Sequence, residues 1–167
     1  MLFVYALNHV SFARLRNYKV LDNVTLSDGK RTGQIDHILI GFFGILFVKT
    51  FHDPGAYYGD SRGETWAFTA NDYKANFPNP VLQAEEVIDI ARKVFSEHGV
   101  YNIPMEPLVV LAGRRSSIEL YASKDTPALT IKKLGEYLRQ PKFEKDNDMD
   151  VPKLLQLIQS AQVKEGA

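Results

Sequence analysis

The sequence predicts an α/β domain of mixed α+β character, and three observations predict it. Short runs rich in β-branched and aromatic residues come first, a long segment with helical apolar spacing begins near Pro80, and strand-like and helix-like runs then return. Leu108-Val109-Val110-Leu111 is continuously apolar, the pattern of a strand covered on both faces. The 167 residues suit one domain with a real core, spanning 1–167, and no repeat or linker divides them.

Phe3, Leu7, Val10 and Leu15 fall at roughly helical spacing, so a first helix is expected over 3–15 and ends by Asn17. Strands are expected over 18–26, 34–40 and 45–51. Turn clusters at Ser27-Asp28-Gly29-Lys30 and at 41–44 join them into an antiparallel hairpin or meander. Asp53-Pro54-Gly55 reads as a loop, followed by short strands over 57–60 and 65–69, and 76–80 reads as a loop with two prolines. The long helix takes Asn79 as its cap and Pro80 in its first turn, where the missing N–H costs little. Val81, Ala84, Val87, Ile88, Ala91, Val94 and Phe95 give it one apolar face, and Gly99 ends it. Strands over 107–112 and 118–121, a short helix over 131–138, a charged solvated loop over 142–150 and a last helix over 151–163 complete the chain.

Twenty Lys and Arg residues balance twenty Asp and Glu, so any phosphate-binding surface has to be a local patch. With no cysteine, disulfides, zinc–thiolate sites and cysteine nucleophiles are excluded, and a reducing, cytoplasmic setting is the expected one. The apolar start Met1 to Leu7 is too short to span a bilayer and lacks the basic opening of a signal peptide. It reads as the beginning of a core helix, or as the stretch that follows a membrane anchor in a longer protein.

Five segments in order carry a family likeness. They are Thr32-Gly33-Gln34-Ile35-Asp36-His37-Ile38-Leu39-Ile40; Gly44-Ile45-Leu46-Phe47-Val48; Gly55 with Tyr58-Gly59 and Trp66; Asn79-Pro80-Val81-Leu82-Gln83; and the apolar strand near Leu108. This set, from about Asn17 to Leu138, resembles the nuclease-related (NERD) domain family of the PD-(D/E)xK nuclease superfamily. The resemblance implies a restriction-endonuclease-like mixed sheet flanked by helices, with the site on the central hairpin. It also implies a glutamate at position 49 and a lysine at position 51, where this chain has Lys49 and Phe51. The family's first-helix acid has no counterpart either, because no acid occurs from Met1 to Lys19. Asp36 and Gln83 remain as catalytic-type positions, with Lys49 standing in place of the second carboxylate.

Metal-dependent phosphodiester cleavage needs a hard cation held by several carboxylates. Asp36 alone offers one ligand, and Lys49 opposes a cation beside it. At an intermediate dielectric two unit charges about 4 Å apart interact by about 4 kcal/mol. That magnitude predicts an Asp36–Lys49 ion pair in place of a metal. Glu86, three residues beyond Gln83 on nearly the same helical face, is the candidate second metal ligand if the site is rearranged; otherwise it is a solvated surface residue. His37 is expected on the sheet face opposite Asp36, and His52-Asp53 reads as the start of a turn. Arg114 and Arg115, followed by two serines, form the most phosphate-friendly loop, or else an ordinary hairpin turn.

Three functions stay open at this level. One is a catalytically degenerate nuclease fold that binds DNA, RNA or a protein partner and needs no cofactor. The second is a nuclease that uses magnesium, and the third is an interaction domain of a membrane-associated system.

Overall fold

The computed structural model describes residues 18–114 and 117–164. The helix expected over 3–15 lies outside them, as does Arg115. Nine strands in two mixed sheets, four helices and one short 3-10 turn make up the described residues.

The first sheet has the order β1-β2-β3-β7-β9. β1 (Lys19–Ser27), β2 (Thr32–Gly41) and β3 (Gly44–Phe51) form the antiparallel meander that the turn clusters predict. β7 (Met105–Leu111) then joins β3 in parallel, and the three-residue β9 (Ala128–Thr130) joins β7 in parallel. Ile38, Leu39, Ile40, Leu46, Phe47 and Val48 are all essentially inaccessible because both faces of this sheet are covered, so apolar residues run on without alternation. One face packs against α1 (Pro80–Glu97) and α4 (Val151–Ser160). The other packs against the 3-10 turn at Ile131–Lys133, α2 (Leu134–Leu138) and α3 (Pro141–Glu144).

The second sheet has the order β6-β5-β4-β8. It contains β4 (Gly55–Gly59), β5 (Thr65–Ala70), β6 (Tyr73–Pro78) and β8 (Ile118–Ala122), with β4 and β8 parallel. Its inner face packs Tyr57, Trp66 and Ile118 onto Val81, Val109 and Leu111 of the first layer.

Three expectations need correction. Residues 76–78 belong to strand β6 and are not a loop. A proline is tolerated there because β6 is the outer strand and Pro78 is its last residue. The run 142–150 is not wholly solvated, since Phe143 sits in the core at 5.1 Å from the Phe43 ring and forms the turn α3 around itself. Its aromatic side chain amid charges was the available signal. The last helix stops at Ser160, and the following residues pair with the outer edge of β1 through Ser27 N–H to Ala161 O and Val163 N–H to Thr25 O. They cover that edge against further strand pairing.

The β1–β2 turn is locked by Asp28. Its carboxylate accepts the N–H groups of Lys30 at 2.9 Å and Arg31 at 2.7 Å, and lies 3.9 Å from Lys93 of α1. The backbone bonds from Arg31 and Lys30 hold its pKa down to about 2 from an ordinary 3.8. The folded value is the lower one, so this stabilisation is complete above the unfolded pKa and is lost as pH falls through the folded one. Asp28→Asn is therefore expected to lower Tm at neutral pH. The gap to the wild type should narrow from about pH 4 to about pH 2; a thermal melt series across that range checks it.

Candidate functional site

β2 and β3 stay paired as far as His37 opposite Val48, and no pairing is recorded beyond that point. Continuing the register would set Asp36 across from Lys49. β2 instead remains with β1, from which Thr32 to Ile35 pair on, while β3 remains with β7. The hairpin thus opens into a fork at Asp36. A second irregularity falls at the same level: Asn23 of β1 has φ of +51°, between the paired rows Asp22–His37 and Val24–Ile35. Ile35 and Ile38 join the same core cluster although three residues apart, as do Leu21 and Val24. Both strands therefore turn over by one residue here, which frees Asp36 from the core-facing row.

The Asp36 carboxylate reaches across the fork and accepts the Thr50 N–H at 2.7 Å. It replaces the ladder partner that β2 no longer supplies. The expected Asp36–Lys49 ion pair does not form: the ion pairs between described residues are Arg31–Asp28, His37–Asp22, Lys93–Asp28 and Lys142–Glu106. The one recorded partner of the Asp36 carboxylate is the Thr50 N–H, on Oδ2. Alternation along β3 places Lys49 with Ile45, Phe47 and Phe51 on the α1 side. Lys49 is half-buried, with no hydrogen bond or ion pair from its ammonium group among the described residues.

Phe51, at the position implied for a lysine, is an apolar joint. Its ring lies 5.2 Å from Phe77 and 5.8 Å from Tyr57, and so ties the end of the first sheet to the inner face of the second. The neighbouring loop is pinned by Tyr57, whose hydroxyl donates to the Asp53 carbonyl at 2.9 Å. Burial pushes that phenol up to about 12, so it remains a donor throughout the physiological range.

Gln83 lies half-buried in the first turn of α1, while Glu86 points to solvent. No recorded contact joins either to Asp36, and among the described residues no group of three His, Asp or Glu side chains is placed to hold a metal ion. His37 is turned away from the fork, buried, and shares a 2.6 Å hydrogen bond with Asp22.

Arg114 leaves the end of β7 and is exposed. Its turn is not a hairpin turn: Ser117 N–H and Ser117 Oγ–H both donate to Arg114 O, and the chain crosses there from the first sheet to the second. Gly113 lies against the His52 carbonyl, and Ala112 N–H donates to Phe51 O, so Arg114 emerges beside the exit of β3. A small cavity of about 70 Å³ next to it is lined by Arg114, Thr130 and Lys132. Lys49, His52, Arg114 and Lys132 thereby lie toward the carboxyl ends of parallel strands β3, β7 and β9, the usual binding edge of such a sheet. Sequence reasoning missed Lys132, which has no motif around it and enters only through the β7–β9 crossover.

The residues that hold this edge in place are those of the family segments. Asn79 is 1 % exposed; its Oδ1 accepts Val81 N–H at 2.9 Å and its Nδ2 donates to Asp60 O and Gly63 O. Trp66 Nε1 donates to the same Asp60 carbonyl at 2.8 Å. The Trp66 ring lies flush on Gly59, where a Cβ would overlap it, which accounts for the glycine–tryptophan spacing.

A mixed sheet under a long helix, with a polar fork at the end of its central hairpin, defines a nuclease-like α+β domain. The chain belongs to the nuclease-related domain family, whose model matches residues 3–112. An uncharacterized protein of Bacillus anthracis is 36% identical over 69 residues, which cover 41% of this chain and 32% of that protein. The match thus spans about a third of that relative's length. No solved structure matches. Among the described residues no helix is long and apolar enough to cross a membrane.

Proposed function

We propose that this nuclease-related domain binds nucleic acid at the fork without cleaving it. The observation that carries the reading is the occupancy of the fork: one carboxylate, Asp36, already engaged by Thr50 N–H, with Lys49 where a second acid is needed. That donor set does not fit magnesium, which asks for a carboxylate cage supplemented by substrate oxygens. Glu86 faces solvent and Phe51 is committed to the aromatic joint, so neither supplies what is missing.

The same groups suit a phosphodiester backbone. The Lys49 side chain lies on the α1 side of β3, and the Gln83 amide lies in the first turn of the helix that covers that side. Arg114 offers a planar fork to phosphate oxygens at the same sheet edge, joined by Lys132. Asp36 in this reading is a structural acceptor that bridges the fork.

The test measures binding of labelled single- and double-stranded DNA and RNA over a salt series, in EDTA and in magnesium. Binding should be indifferent to magnesium. Lys49→Ala should weaken all sequences alike and reduce the salt slope by about one. No cleavage is expected with magnesium or manganese, whereas robust Asp36-dependent turnover would establish the rearranged metal site instead. A protein that binds none of the four nucleic acids leaves a protein partner as the function of this edge. Lys49→Glu is the cleaner single probe, because Phe51→Lys also removes the ring joint between the sheets.

A further inference from the structure

The outer face of the second sheet carries a feature that the fork does not use. Tyr58 of β4 and Tyr121 of β8 stand side by side on neighbouring strands, with ring centroids 4.8 Å apart and planes within 9°. They are 42% and 51% exposed, although the inner face of the same sheet is packed with Tyr57, Trp66 and Phe68. The row runs on across the sheet. Tyr58 pairs with Ala67 of β5, and Ala67 with Asn76 of β6. The aromatic stack therefore stops at a methyl group, with an exposed carboxamide on the strand beyond.

Strands lie about 4.8 Å apart, so Tyr58 and Asn76 stand about 9.5 Å from each other above the Ala67 floor. A ring standing over Ala67 would lie about one strand spacing, about 4.8 Å, from each wall. Tyr58 and Tyr121 already stack at that centroid separation, so such a ring would extend the stack by one position. Lys74 flanks it, two residues from Asn76 on the same face of β6 and exposed. Glu119 of this face is on β8 at the far side of the tyrosines, and its carboxylate accepts the Tyr121 hydroxyl at 2.6 Å. A flat slot floored by a methyl group, with a cation at one end and Glu119 beyond the tyrosines, matches an unpaired base and the phosphate next to it.

We infer that the Tyr58–Ala67–Asn76 slot is a stacking site for one unpaired base of single-stranded nucleic acid, with Lys74 on the adjoining phosphate. The inference rests on the nucleic-acid reading above and specifies the form of the ligand. Duplex bases are already stacked on both faces and cannot enter; a single strand can offer a base at this slot while its backbone continues elsewhere.

Three surface variants of the whole chain test it. Tyr58→Ala removes the wall, Ala67→Leu fills the floor, and Tyr58→Phe keeps the ring without its hydroxyl. Each is first checked by circular dichroism and thermal melting. Affinity for an oligothymidylate and an oligouridylate should fall about tenfold in the first two variants and hold in the third, with duplex binding unchanged. Free uridine monophosphate, followed by saturation transfer from the protein to its ring protons, reads the slot independently of the fork. If the wild type binds strands but the two slot variants bind them equally well, the slot is overturned and the fork reading survives. If the wild type binds no strand or duplex yet gives a Tyr58-dependent signal with the mononucleotide, the slot stands and the fork reading falls. If neither probe responds, the slot is overturned as well.

Discussion

Trp66→Ala is expected to lower the unfolding free energy by about 3–5 kcal/mol, the range for deleting a large, fully buried aromatic side chain. Trp66 is 1% exposed and sits between both layers, in the cluster with Tyr57, Val81 and Val109. Its loss removes the ring that covers Gly59 and leaves a cavity that the neighbouring strands β4 and β6 cannot close, because their pairing to β5 fixes them. It also takes from Asp60 O one of its two donors, the other being Asn79 Nδ2. Urea unfolding checks the magnitude. A change under about 1 kcal/mol would mean that the two sheets are not joined through this ring. Trp66 is the single tryptophan of the chain, so the variant is followed by circular dichroism instead of fluorescence.

Asn79→Ala should cost about 2–3 kcal/mol. About 1 kcal/mol of that is the lost helix cap, since Oδ1 accepts Val81 N–H at the start of α1. The remainder comes from the Nδ2 donors, because Gly63 O and Asp60 O lose a partner in a part-buried setting. Asn79→Asp keeps the acceptor but sets a buried carboxylate oxygen against Asp60 O and Gly63 O, so it should cost at least as much as Asn79→Ala. The functional consequence follows from position. Asn79 joins the 60–63 loop of the second sheet to the helix that carries Gln83, so its loss loosens the side of the fork that α1 covers. In the binding assay, Asn79→Ala is expected to shift affinity less than Lys49→Ala, as it touches no ligand.

Much of the fold was legible because its signals are local. The meander β1-β2-β3 follows from three β-branched runs with turn residues between them, and Asn79-Pro80 marks the start of α1 through chemistry confined to one turn. The uninterrupted run at Leu108 predicts a doubly covered strand, and β7 is one. Where tertiary contacts decide, local signals mislead. The prolines around Phe77 read as a loop, but Phe77 packs on Trp66 and Phe51, and that packing holds β6 at the sheet edge. Phe143 in a charged run turns inward because Phe43, from a distant part of the chain, and the nearby Tyr137 stand over it.

The candidate site divides the same way. The sequence by itself determined that position 49 bears an ammonium, that position 51 bears a benzyl group, and that residues 1–19 contain no acid. Only the tertiary structure decided what those residues do instead. Asp36 bonds to a backbone N–H in preference to the nearby lysine because the hairpin opens at that level and leaves Thr50 without a ladder partner. Phe51 becomes the joint between two sheets because the second sheet folds back over the end of β3. Pairing across a fork and contact between layers are set by long-range geometry, which residue spacing along one strand does not encode.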